Sequence, residues 1–374
     1  MAIEPSVSQR FPVVASVATS WFPSVAQGDV RDAVGGIHPG LASHRLLSVF
    51  DNAGIDHRSL AMPVAWYLEP HSLAERSALA VALGGERATD AASQALAAAG
   101  VDPSVVDAVV VASTTVVRSP ALDIELVANL GLRPDIRRVP VAGMASLGGA
   151  SALAVGADLV RAGHGCVLVV AVELNSLAFA PREASVEELV TLALFSDGAA
   201  AVVLTGDGAP GDGAAADGAP GDGAGGGQPT ATMRVVGSAS HLVPDSVHLM
   251  GFDLDDHGLR WRLSPDVPDQ ARQLTAASVD AAVATVGWER SDIDHYLFHP
   301  GGVRVLEGCA AALGLPVGRL APSLEVLAAV GNVSGVTVLA VLERFVAQGP
   351  PAGRVLLTAM GPGFGFEHVL LEVA

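Results

Sequence analysis

Ser146, Asn332 and His299 are each a single polar group set among small or apolar neighbours. Ser146 lies in "GMASLGGAS" (residues 143–151), where side chains this small let backbone approach backbone or a ligand. A serine hydroxyl becomes a nucleophile only when a base takes its proton. Asn332 lies in "AAVGNVSGVTVL", 186 positions further on. His299 ends the strand-like "HYLFH" before Pro-Gly-Gly, and a histidine at the carboxyl end of a strand projects well into a crevice. The same placement also suits a histidine with a purely structural role. His295 and His299 have the spacing of a helical zinc pair, but a strand sets the two rings roughly 13 Å apart. No metal or cofactor is expected.

The elements that must position these residues occur twice. "AASQALAAAGVDPSVVDAVVVAS" reads as a helix, a stop at Gly100 and a β-branched strand after Asp107. "ASVDAAVATVGWERSDIDHYLFH" repeats that order with Gly287 and Asp294, both 187 positions later. Ser146 and Asn332 are 186 apart, and the strand-like "VLVVAVE" from Val167 is matched 188 positions on by "VLLTAMG". A near-constant offset over four landmarks marks a duplicated α/β unit. Its wholly apolar strands belong to sheets covered by helices on both faces. If the two units pair about a pseudo-twofold axis, Ser146 and Asn332 face one cavity. The expected divisions are a first half, 1–205, a Gly/Ala/Asp-rich flexible insertion, 206–230, and a second half, 231–374. The insertion repeats "GDGAP" and carries no large apolar residue with which to order itself.

Composition narrows the function. At 374 residues the chain can bury a large core. Its net charge of −18 argues against nucleic-acid binding. All 21 basic residues are arginine, so Schiff-base chemistry and a Walker-type phosphate loop are excluded. No apolar run reaches the roughly 18–20 residues of a membrane span, and the amino-terminal segment lacks the layout of a secretory signal. Cys166 and Cys309 are too few for a disulfide framework and read as packing thiols. A cytoplasmic protein is expected.

The motifs resemble the type III polyketide synthases, the chalcone-synthase-like branch of the thiolase superfamily. The resemblance runs from about Phe11 to Ala374. It rests on "VFDNAGIDHRSL", "WYLEPHSLAER", "VVVASTTVVRSPALD", "LGLRPDIRRVPVAGMASLGGASAL", "LFSDGAAAVVL", "MGFDLDDHGLRWRLSPDVP", "FHPGG", "GNVSG" and "MGPGFGFE". It implies a five-layer αβαβα thiolase-like fold, a homodimer and an acyl-thioester substrate carried by coenzyme A or a carrier protein.

The family's Cys–His–Asn triad falls on Ser146, His299 and Asn332. The family pattern around the nucleophile is Gly-Cys-small-Gly-Gly, whereas this chain reads Ala145-Ser146-Leu147-Gly148-Gly149. The resemblance thus implies an acyltransferase with Ser146 as nucleophile, His299 as base and Asn332 as carbonyl polariser. The acceptor is a carbon or a heteroatom. Two alternatives remain: a decarboxylase or cyclase working through His299 and Asn332 without a covalent bond, and a non-catalytic partner subunit. Phe195 and Trp261 fall on two gatekeeping aromatics. Thr114, Ser119, Met360 and Arg45 fall on substrate-binding positions, with Ser119 near the partner's cavity. Ser48 and Asn52 stand where the family is basic, which implies a weak hold on free coenzyme A.

Overall fold

A computed structural model describes residues 11–37, 44–179, 186–207 and 232–374. The insertion expected at 206–230 lies almost wholly outside the described residues. The first half supplies β1 (Pro12–Trp21), α1 (Leu73–Ala99), β2 (Ala108–Ala112) and β3 (Arg137–Val141). It continues with α2 (Gly148–Arg161), β4 (Cys166–Leu174), α3 (Val186–Leu194) and β5 (Asp197–Gly206). The second half supplies β6 (Met233–Leu242), α4 (Val267–Ala284), β7 (His295–Phe298) and α5 (Val303–Ala312). It ends with α6 (Gly335–Ala347), β8 (Gly353–Gly361) and β9 (Gly365–Val373).

Nine strands form one sheet in the order β7-β8-β9-β6-β1-β5-β4-β2-β3. In the first half β2 runs parallel to β4, which is antiparallel to β5, which is antiparallel to β1. In the second half β7, β8, β9 and β6 repeat that sequence of directions. Within the sheet the halves join at β1 and β6, through the residue pairs Val13 with Arg234 and Val14 with Met233. The repeated landmarks perform repeated work. Asp107 accepts the N–H groups of Gly165 and Cys166 at 2.7 and 3.2 Å, tying β2 to β4. Asp294 accepts the N–H of Arg354 at 2.8 Å, tying β7 to β8. Gly100 and Gly287 both adopt positive φ, the left-handed conformation that releases the chain from a helix.

Every residue of β4 and β5 is buried, because helices cover both faces. The helix α1 packs on the outer face of the first-half strands, while α4 and α5 pack on the outer face of the second-half strands. Between the two sets of strands lie α2 and α6, whose apolar faces join both halves in one core. The result is five layers, αβαβα. Among the described residues no single helix is long and apolar enough to cross a membrane.

Candidate active site

The central layer brings the site together. Ser146 occupies a single 3-10 turn, Ala145–Leu147, that leads into α2, and Asn332 lies three residues before α6. The two helices touch at glycines, so the segments before them meet at one place. His299 follows β7 and extends its parallel pairing, donating its backbone N–H to the Thr358 carbonyl at 2.8 Å. Gly301 and Gly302 then turn the chain into α5.

Ser146, His299 and Asn332 all line one cavity of about 600 Å³. They are 4, 3 and 3 % exposed, and they are the buried polar side chains on an otherwise largely apolar wall. Phe195 and Met360 also border the deep end, whereas Asn52, Pro265 and Arg304 are exposed at the mouth. Arg304 is the one formally charged side chain on the wall among the described residues.

Burial pushes His299 down to about 3, so the imidazole is neutral at physiological pH. Neither ring nitrogen has a hydrogen-bond partner. A neutral imidazole offers one lone pair and one N–H, and both are free for a substrate. Asn332 is fixed from two sides. Its backbone pairs with the segment carrying Phe195, through Asn332 N–H to Leu194 O at 2.9 Å and Ser196 N–H to Asn332 O at 2.8 Å. Its side-chain Oδ1 accepts the Ser334 N–H at 2.8 Å, which leaves Nδ2 with only a 3.5 Å contact to Gly301 O. The donor end of the carboxamide is therefore available to a carbonyl oxygen. Buried Arg58 supports this segment by donating from Nε to Ser196 Oγ at 2.8 Å.

Phe195 packs edge-on against Trp261 with ring centroids 5.0 Å apart, and Phe179 completes the aromatic group. Trp261 stands behind Phe195 and is not on the cavity wall. A second cavity of about 520 Å³ begins on the other side of Phe195. Thr114 and Ser119 are also off the wall of the cavity that holds Ser146. Thr114 is buried beneath the turn that carries Ser146, and its hydroxyl accepts the Ala145 N–H at 2.8 Å. Ser119 is exposed, next to a cis peptide bond to Pro120. The side chain of Arg45 lies outside the described residues. Ser48 and Asn52 line the cavity, on the helix His44–Asp51 and just beyond it. Arg304 was not anticipated from sequence, although its place five residues after His299 could have pointed to it. Cys166 and Cys309 are buried thiols, each pushed up to about 12 by desolvation.

The family description "Chalcone and stilbene synthases, N-terminal domain" matches residues 63–208, and its C-terminal counterpart matches residues 234–374. A 1,3,6,8-tetrahydroxynaphthalene synthase of Streptomyces peucetius subsp. caesius is 36 % identical, over 98 % of this chain and 94 % of its own. A phloroglucinol synthase of Pseudomonas fluorescens is 26 % identical, over 90 % of each chain. The crystal structure of 1,3,6,8-tetrahydroxynaphthalene synthase from Streptomyces coelicolor has a TM-score of 0.85 at 24 % identity, covering 96 % of this chain and 99 % of that one. A fungal type III polyketide synthase has a TM-score of 0.82 at 24 % identity, covering 97 and 100 %. With both family regions matched and the fold shared, the chain belongs to the chalcone and stilbene synthase family, the type III polyketide synthases.

Proposed function

We propose that the protein transfers acyl groups from a thioester through Ser146, with His299 as its base and Asn332 as a carbonyl donor. One observation carries this reading: three buried polar side chains and, among the described residues, no other buried polar ones border one apolar cavity that reaches solvent. Ser146 Oγ attacks the thioester carbonyl carbon while its proton passes to the free ring nitrogen of His299. The carbon–sulfur bond breaks, the departing thiolate takes the proton from His299, and an oxyester remains on Ser146. The imidazolium formed on the way is costly in this dry site, so it forms only beside the developing oxyanion, which offsets its charge. The backbone N–H groups around Gly148 and the "GPGFG" loop are the proposed oxyanion donors.

Transfer then follows one of two routes. In condensation, a malonyl-type thioester places its carbonyl on His299 N–H and Asn332 Nδ2 and loses carbon dioxide. Its enolate carbon attacks the ester carbonyl, the bond to Ser146 Oγ breaks, and the departing oxygen takes up a proton from solvent. In heteroatom transfer, an alcohol, amine or water displaces Ser146 Oγ instead. An oxyester is less electrophilic than a thioester, which favours the second route. The proposal also includes a homodimer, in which a second copy pairs at β3, one of the two edges of the sheet among the described residues; sedimentation velocity measures that state.

Intact-protein mass spectrometry after incubation with acetyl, malonyl and longer acyl thioesters is the direct test. The expected result is an added acyl mass that Ser146→Ala abolishes together with product. Turnover retained in Ser146→Ala would instead support the non-covalent decarboxylase, in which the free donors of His299 and Asn332 do the work.

A further inference from the structure

We infer that Glu173 and Thr114 form a buried clamp that positions Ser146 by holding Ala145 in a left-handed backbone conformation. This rests on the reading of Ser146 as the nucleophile. Ala145, the residue before it, has φ of +42°. A side chain with a Cβ adopts that region at a conformational cost that glycine does not incur. Such a conformation persists only where its surroundings hold it.

The surroundings do so on both sides. The Ala145 N–H donates to Thr114 Oγ1 at 2.8 Å. Its carbonyl oxygen lies close against Gly335, where an added Cβ would meet it at 2.8 Å, so the turn is packed directly on the backbone that opens α6. Thr114 is held in turn. Its own N–H donates to the two carboxylate oxygens of Glu173 at 3.1 and 3.2 Å, and the Thr115 N–H donates at 3.0 Å. The Thr115 hydroxyl also donates to Glu173 and accepts the Leu174 N–H at 2.8 Å. Glu173 is 2 % exposed in the all-buried strand β4. A carboxyl group placed there is stable only while those donors satisfy it. The chain of contacts therefore runs from β4, through the Thr114–Thr115 turn, to the peptide that aims Ser146. Thr114 and Glu173 are positioning residues, and neither borders the catalytic cavity.

Two measurements separate the clamp from the nucleophile. Met144–Ala145 and Met1–Ala2 are the only Met–Ala junctions in the chain. Labelling methionine carbonyls with carbon-13 and alanine with nitrogen-15 thus resolves the Ala145 amide in a two-peak spectrum. The second measurement is the single-turnover rate of Ser146 acylation by acetyl-coenzyme A, followed by intact mass. Thr114→Val should shift the Ala145 amide and lower the saturating rate about ten- to hundredfold, with half-saturation unchanged. Thr114→Ser should restore both. Ala145→Gly, introduced into Thr114→Val, should recover much of the lost rate because glycine accepts positive φ unaided. Glu173→Gln should shift the same amide and fall between Thr114→Val and the parent. Unchanged acylation in Thr114→Val, or no recovery by Ala145→Gly, overturns the positioning role. If the parent protein forms no adduct, the nucleophile reading fails instead. The Ala145 amide then decides the clamp by itself, and an unmoved resonance in both Glu173→Gln and Thr114→Val overturns it.

Discussion

A Cβ added to Gly149 would stand 2.0 Å from the carbonyl oxygen of Gly335, so α2 and α6 cross with backbone against backbone. That contact sets the separation of the segments bearing Ser146 and Asn332. Gly149→Ala must push the two helices apart, since backbone cannot rotate away as a side chain can. We expect a loss of about 3 kcal/mol or more, the upper range for overpacking a core. Gly100→Ala is the control: Gly100 has φ of +65° but nothing within 4 Å of its would-be Cβ. It should lose only the conformational cost, about 1–2 kcal/mol. Urea midpoints of the two variants check the order, and equal losses would mean that the crossing yields.

Much of this arrangement was legible in the sequence because it is specified locally. Asp107 and Asp294 each stand one residue before their strand and accept a backbone N–H from the start of the parallel neighbour, so their constant spacing exposed the duplication. The small residues around Ser146 and Asn332 showed where helices must approach. Glu173 was not legible. It lies in the apolar run "CVLVVAVEL", and its partners, Thr114 and Thr115, are 59 and 58 positions away. Only the pairing of β2 with β4 brings that turn beside it. Trp261 was recognised by its motif, but which face of the hairpin Met250–Leu263 it would present to Phe195 depends on tertiary contacts that no local pattern carries.

Glu173 also carries a pH signature. Desolvation raises its carboxyl from 4.5 to about 7, against the opposing hydrogen bonds from Thr115 and Thr114. A folded-state value above the unfolded one contributes stability that is complete below about pH 4.5 and is lost as pH rises through 7. Glu173→Gln has no such titration. The stability of the parent minus that of the variant should therefore decline between pH 4.5 and 7.5, by on the order of 3 kcal/mol. The buried His299 and His368, each lowered to about 3, act in the opposite direction, losing stability as pH falls below 6.5. Both proteins contain them, so they cancel in the difference. Urea denaturation across this range checks the sign; a difference that grows with pH contradicts it.

Arg304 at the cavity mouth is a candidate contact for the phosphates of an acyl carrier, where Ser48 and Asn52 offer no charge. Arg304→Ala should raise the half-saturation for acetyl-coenzyme A several-fold at low salt, as one charge-assisted contact is lost, and by less at 0.5 M salt, where screening has already weakened it. Asn52→Arg should lower it. Titrations at two ionic strengths measure both effects. Identical salt dependence in the parent and Arg304→Ala proteins would place the phosphates elsewhere.

The last expectation concerns how much Ser146 depends on His299. A serine hydroxyl keeps its proton at any physiological pH, so in the proposed mechanism the free ring nitrogen of His299 takes it during attack. General-base catalysis of this kind contributes about 10²–10⁴-fold, and His299→Ala should slow Ser146 acylation by that amount. A thiol is the stronger nucleophile and ionises far more readily, so Ser146→Cys should keep acyl loading. In that background His299→Ala should cost markedly less, and the gap should narrow further as pH rises toward 9. Ser146→Cys should also shift product from hydrolysis toward carbon–carbon condensation, because a thioester is the better electrophile for an enolate. Single-turnover acylation of the four proteins between pH 7 and 9, with products separated by chromatography, measures each term. Equal losses on removing His299 from the serine and cysteine proteins would show that the imidazole acts on the substrate carbonyl and not on the nucleophile's proton.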